Sequence, residues 1–182
     1  MLIAQAKKKE NIAEYILYMW QVEDQIRAFG LDIDLIQAKI IDAYDQPDKV
    51  KADIRSWYES LIDMMKREGV AEKGHIQLNK NVIIDLTDLH NRLLASSKET
   101  FYQMTYYKVL PFIVELRAKA SGAEVCEIET CLNLMYGLLM LHLQHKAISK
   151  GTQEAARHVS EFLGLLAVKF KQDRDEGLDL DN

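Results

Sequence analysis

Two prolines and eight glycines are all that this 182-residue chain offers as helix breakers. Such scarcity, beside abundant Leu, Ile, Met, Ala, Lys, Glu and Gln, excludes a loop-rich fold and favours long helices. Cysteine is equally scarce. Cys126 and Cys131 are the only two; five residues apart on one helix, they point in different directions and cannot bridge each other. No C-x-x-C and no Cys/His zinc spacing is present, and two unpaired thiols suit a reducing compartment. No apolar run approaches the ~20 residues that cross a bilayer, the most apolar stretch being Leu134 to Leu141. Met1-Leu2-Ile3 precede the first lysines, the reverse of a secretory signal. The expectation is a soluble, cytoplasmic protein with no membrane partner.

Excess positive charge is also lacking. The net charge is −5, so the surface repels phosphate backbones and bulk nucleic-acid binding is disfavoured. The one basic cluster, Lys7-Lys8-Lys9, runs into Glu10 and Glu14 and reads as the solvated start of a helix. Catalytic signatures are missing too. There is no G-x-G-x-x-G, no P-loop glycine run and no G-x-S-x-G elbow, and no alternation long enough for a strand.

What is present is helical periodicity. A chain of this length buries enough surface to fold without disulfides or a structural metal. Its pattern predicts a single domain over residues 1–182, an all-α, up-and-down bundle of about six helices. The segments are Lys7–Phe29, Asp32–Tyr44, Pro47–Glu68, Asn79–Ala120 with a kink or break near Leu110 before Pro111, Glu124–Ser149, and Thr152 to about Arg174. Thr152 serves as the last cap. Gly30, Gly69, Gly122, Gly151 and Gly177 stand where helices stop. The fifth helix is apolar nearly all round from Leu132 to Leu143, which predicts that it is central and covered on most sides. Residues 175–182 read as a flexible acidic tail.

Three polar residues fall on faces that are otherwise apolar. Glu23 interrupts Ile12, Tyr15, Ile16, Met19 and Ile26; His90 interrupts Val82, Ile83, Leu86, Leu89, Leu93 and Leu94; His142 continues Ile128, Leu132, Met135 and Leu139. In one reading they are satisfied core groups, with Glu23 and Arg27 a buried i,i+4 pair and His90 bonded to a carbonyl or a tyrosine hydroxyl. In the other, Glu23, His90 and His142 converge as one carboxylate and two imidazoles, a set that binds zinc or non-haem iron. No other cofactor is implied. Tyr102 and Tyr106, one turn apart, point away from the leucine stripe if their helix stays straight, and are candidates for a contact surface with a protein partner or a second copy.

The segments Met1-Leu2-Ile3-Ala4-Gln5, Lys9-Glu10-Asn11-Ile12-Ala13-Glu14-Tyr15 and Met19-Trp20-Gln21-Val22-Glu23-Asp24 resemble a family of short all-helical Bacteroidetes proteins of unknown function. The resemblance spans nearly the whole chain and implies a cytoplasmic, stand-alone helical protein; it supplies no catalytic residues. The functional expectation is a non-enzymatic bundle acting through protein–protein contact or self-association. The alternative is a metal- or small-ligand-binding bundle built on Glu23, His90 and His142.

Overall fold

Asn11 divides the first expected helix in two. In the computed structural model, which describes residues 2–119 and 125–180, α1 (Leu2–Glu10) ends just before it and α2 (Ile12–Ala28) begins just after. Its side chain accepts the amide protons of Ala13 and Glu14 at 3.0 and 3.1 Å, which caps α2. Lys7, Lys8 and Lys9 therefore occupy the last turn of α1, where positive charge suits the exposed carbonyls. Lys7 pairs with Glu14 at 3.0 Å across the joint. Arg174 donates to the carbonyls of Lys8 and Lys9, both at 3.2 Å. We expect Asn11→Ala to lower stability by about 1 kcal/mol, read as a shift in the urea midpoint.

The rest of the described chain is helical as well, with no strand among the described residues. α3 (Ile33–Ile36) is capped by Asp32 and passes directly into a π-helical turn, Gln37–Ile41. α4 (Asp48–Arg67) follows Pro47, packs on that turn, and buries Ile54, Tyr58 and Leu61. α5 (Gln77–Ala95), α6 (Thr100–Lys119), α7 (Glu127–Leu143) and α8 (Lys150–Glu176) complete the order. α8 packs against α2, α5, α6 and α7. Trp20, Tyr58, Tyr102 and Phe162 are the largest side chains sealed in the core.

Several boundaries differ from expectation, each for a local reason. The fourth segment breaks at Ser96–Glu99 and not at Pro111, which lies inside α6. Ser96 leaves the helical region (φ −79°, ψ 130°), and the Gln103 amide donates to the carbonyls of Leu94 and Ser96 at 3.0 and 2.8 Å, closing the end of α5. Pro111 is tolerated because it stands on the exposed side of α6, where the carbonyl it deprives of a donor is open to water. α8 is capped by Ser149, whose hydroxyl accepts the Thr152 amide at 3.2 Å, so Thr152 is not the cap and Gly151 lies within the first turn. Gly30, Gly69 and Gly177 do adopt the left-handed region after their helices. Gly122 lies outside the described residues.

α7 is central only at its start. Ile128, Cys131 and Leu132 are buried, but Leu134 to Leu141 are half-buried with Gly137 exposed, and Leu143 is exposed. The helix ends at Leu143, short of Ser149, with His145 at φ 54° in the turn beyond. The tail is held where it is described: Leu178 and Leu180 pack on the core, the Leu178 amide donates to Asp173 at 3.1 Å, and Lys98 pairs with Asp179 at 2.7 Å. Arg92 grips Asp173 through two bonds of 2.8 and 3.1 Å, holding that carboxyl below its usual range.

Candidate functional site

Glu23 is wholly buried on α2, and three donors reach it from the segment that enters α5. Its Oε1 accepts the Ile76 amide at 3.0 Å and the Asn79 side-chain amide at 2.9 Å. Its Oε2 lies 2.5 Å from His75 Nδ1. His75 stacks on Trp20 with ring centroids 4.4 Å apart, and Tyr136 meets Trp20 edge-on at 5.5 Å. With Glu23 so occupied, Arg27 turns elsewhere, although its i,i+4 spacing would allow the pair. It bonds Asp24 at 2.8 Å, the Val70 carbonyl at 3.1 Å and the Gly74 carbonyl. The expected Glu23–Arg27 pair is thus replaced by two parallel clasps, both tying α2 to the 70–76 loop. Trp20 Nε1, Arg27 Nε and Asn79 Oδ1, all at this corner, are buried without a hydrogen-bond partner.

His90 sits apart from this corner, among the rings of Tyr102, Tyr106 and Phe162. Its Nδ1 is 2.7 Å from the Tyr102 hydroxyl, and its Nε2 is 3.9 Å from Glu127, which also accepts the Tyr106 hydroxyl at 2.8 Å. Burial pushes the imidazole below its ordinary value of 6.5, against the pull of Glu127. The unfolded chain therefore binds a proton here before the folded one does. Stability from this group is full above pH 6.5 and is lost as pH falls through the lower folded value. We expect the His90 C2–H NMR resonance, assigned by its loss in His90→Gln, to titrate below 6.5; a midpoint above 6.5 would contradict the burial argument.

His142 lies exposed in the last turn of α7. Glu23, His90 and His142 are not brought together, because each of the first two is held by its own neighbours and the third faces outward. Among the described residues no group of three His, Cys, Asp or Glu side chains could hold a metal ion. Burial pushes the Cys131 thiol up to about 12, which fits packing and not nucleophilic chemistry.

Tyr102 and Tyr106 are also not where the straight-helix expectation places them. The break at Ser96–Glu99 folds α6 back on α5, which turns both tyrosines inward, 0% and 8% exposed. The side of α6 left outside carries Phe101, Met104, Tyr107, Pro111 and Val114. Four of these are large apolar residues with 71%, 54%, 64% and 59% exposure for Phe101, Met104, Tyr107 and Val114. A helix of this kind normally shows polar residues to water. Scattered exposed apolar residues are ordinary, whereas these four follow one another along a single helix face.

Comparison with known proteins adds one finding. The family model described as Domain of unknown function (DUF4924) matches residues 1–177. The chain belongs to this family. No curated protein and no solved structure matches it. In this DUF4924 chain the opening segments that carry the resemblance have structural roles. Asn11 caps α2, while Trp20, Glu23 and Asp24 build the clasped corner. What the sequence does not single out are His75 and Asn79, Glu23's partners, and the outer face of α6. His75 lies in a polar linker with no periodicity to flag it. Tyr107 is visible in sequence only as one of a cluster of three tyrosines.

Proposed function

We propose that this DUF4924 domain is a non-enzymatic, cytoplasmic helical module that acts through protein–protein contact, and that its contact surface is the outer face of α6. The observation that carries the reading is the set of large apolar side chains spaced along that face. Aromatic residues and Met are the types enriched in interface cores. The two unpaired cysteines support a reducing compartment, and a Bacteroidetes origin belongs to the same reading through the opening segments. No helix among the described residues is long and apolar enough to cross a membrane, and no catalytic residue, cofactor or metal is assigned. Nucleic acid is not the proposed partner, since Lys7 and Lys8 are engaged with Glu14 and the Tyr15 ring.

The test is sedimentation velocity of the full chain beside Met104→Glu/Tyr107→Glu. Both positions are exposed, so the variant should fold with an unchanged melting temperature while losing association. Self-association that is equal in the two chains would overturn the reading, as would a chain that stays monomeric at every concentration and retains no partner in a pull-down.

A further inference from the structure

Thr100, Met104, Tyr107, Pro111, Val114 and Ala118 are all exposed on α6. Their intervals are four, three, four, three and four residues, the a/d spacing of a two-helix seam. On the proposal that α6 is a contact surface, we infer that its occupant is the α6 of a second copy of this chain, running antiparallel. The symmetry of the sequence leads there. In an antiparallel pair each a position meets a d position, so partnered residue numbers share a constant sum. Setting Met104 opposite Val114 of the copy puts Tyr107 opposite Pro111 and Thr100 opposite Ala118. The two-fold axis then passes beside Val109, next to the midpoint of a helix that spans Thr100–Lys119. The two helices pair along their full length, with no overhang.

The flanking charges fit the same register. Lys108 and Glu115 occupy the e positions, both exposed, and in an antiparallel pair e faces e. Lys108 lies beside Glu115 of the copy, and Glu115 beside its Lys108, giving two opposite-charge pairs around one axis. Among the described residues Glu115 pairs with the exposed Lys119, at 2.5 Å, an i,i+4 contact easily shared. A parallel pair would instead face Lys108 with Gln103 and Glu115 with Leu110, with no charge pairing. Charge thus selects the antiparallel arrangement, as e and g residues do in coiled coils generally. A seam of one helix per chain buries a small interface, so the dimer belongs at the weak end of specific association.

The experiment uses two full-length variants, Lys108→Glu and Glu115→Lys, studied by sedimentation velocity alone and mixed in equal amounts. Each alone sets like charges together twice, so each homodimer is expected to weaken roughly tenfold relative to the unaltered chain. The mixture restores both pairs. In a mixed dimer the glutamate introduced in one chain faces the lysine introduced in the other, and the retained Glu115 of the first faces the retained Lys108 of the second. The mixture is therefore expected to recover dimer. Glu115→Lys also reduces the net negative charge, so general repulsion alone would strengthen its association; a weakening points to the register. Melting temperatures check that both variants fold. If the unaltered chain dimerises and Met104→Glu/Tyr107→Glu abolishes it, while the mixture behaves as the average of its parts, the antiparallel register is overturned and the contact surface stands. If the unaltered chain does not dimerise, the second copy is overturned as the occupant.

Discussion

Glu23→Ala should lower the melting temperature by about 6–20 °C, a large effect for one polar side chain. The carboxylate is wholly buried and holds His75, the Ile76 amide and the Asn79 amide at once. Removing it leaves three donors buried or half-buried beside an apolar methyl group. Breaking a buried pair by deleting one partner costs about 3–5 kcal/mol, and in a chain of this size 1 kcal/mol moves the midpoint by about 2–4 °C. The corner has little slack, since Trp20 Nε1, Arg27 Nε and Asn79 Oδ1 are already unpartnered. Glu23→Gln keeps one oxygen for Ile76 and Asn79 and should lose about half as much. Differential scanning calorimetry checks both. A Glu23→Ala midpoint within about 2 °C of the unaltered chain would show that the clasp between α2 and the 70–76 loop does not hold the fold together.

The second large effect concerns association and not folding. Met104→Glu/Tyr107→Glu should reduce dimerisation at least a hundredfold while leaving the melting temperature in place. Met104 and Tyr107 would occupy four seam positions in a dimer, two from each chain. A glutamate at each adds four carboxylates to an apolar contact in chains that already carry a net charge of −5. Burying an unpaired carboxylate at such a contact costs several kcal/mol, and each 1.4 kcal/mol is tenfold in affinity. The two side chains are 54% and 64% exposed in the single chain, so folding is expected to tolerate the change. The same pair of substitutions inside the core, at Tyr102 or Val109, would unfold the protein instead.

Periodicity places the buried faces of α2 and α8 correctly and that of α6 wrongly, for a physical reason. Ala155, Val159, Phe162, Leu163, Leu166 and Phe170 recur at helical spacing; the first five are buried and Phe170 is half-buried. Glu23 and His90 are legible as polar groups on apolar faces, because that mismatch is local. Their partners are not, since His75 comes from a linker 52 residues away and Tyr102 from another helix. The helix break shows the limit most plainly. A proline is the strongest local breaker, yet Pro111 on an exposed face leaves only a solvated carbonyl unpaired. Ser96–Glu99 breaks the chain because the Gln103 side chain, folded back from α6, satisfies the carbonyls that α5 leaves open. Moving the break from Pro111 to Ser96 exchanges the inner and outer faces of α6. Tyr102 and Tyr106 then enter the core, and Phe101, Met104 and Tyr107 take the outside. The expectation for α7 fails for a related reason: apolar composition around its whole circumference is local, whereas what covers it is set by how far its neighbours extend.

The central claim is that the outer face of α6 joins two copies of the chain. Sedimentation velocity of the unaltered protein, from about 1 to 200 μM, addresses it without any substitution. The account predicts a smooth rise from the 21.0 kDa monomer towards twice that mass as concentration increases. A single 21.0 kDa species across the whole range would contradict it.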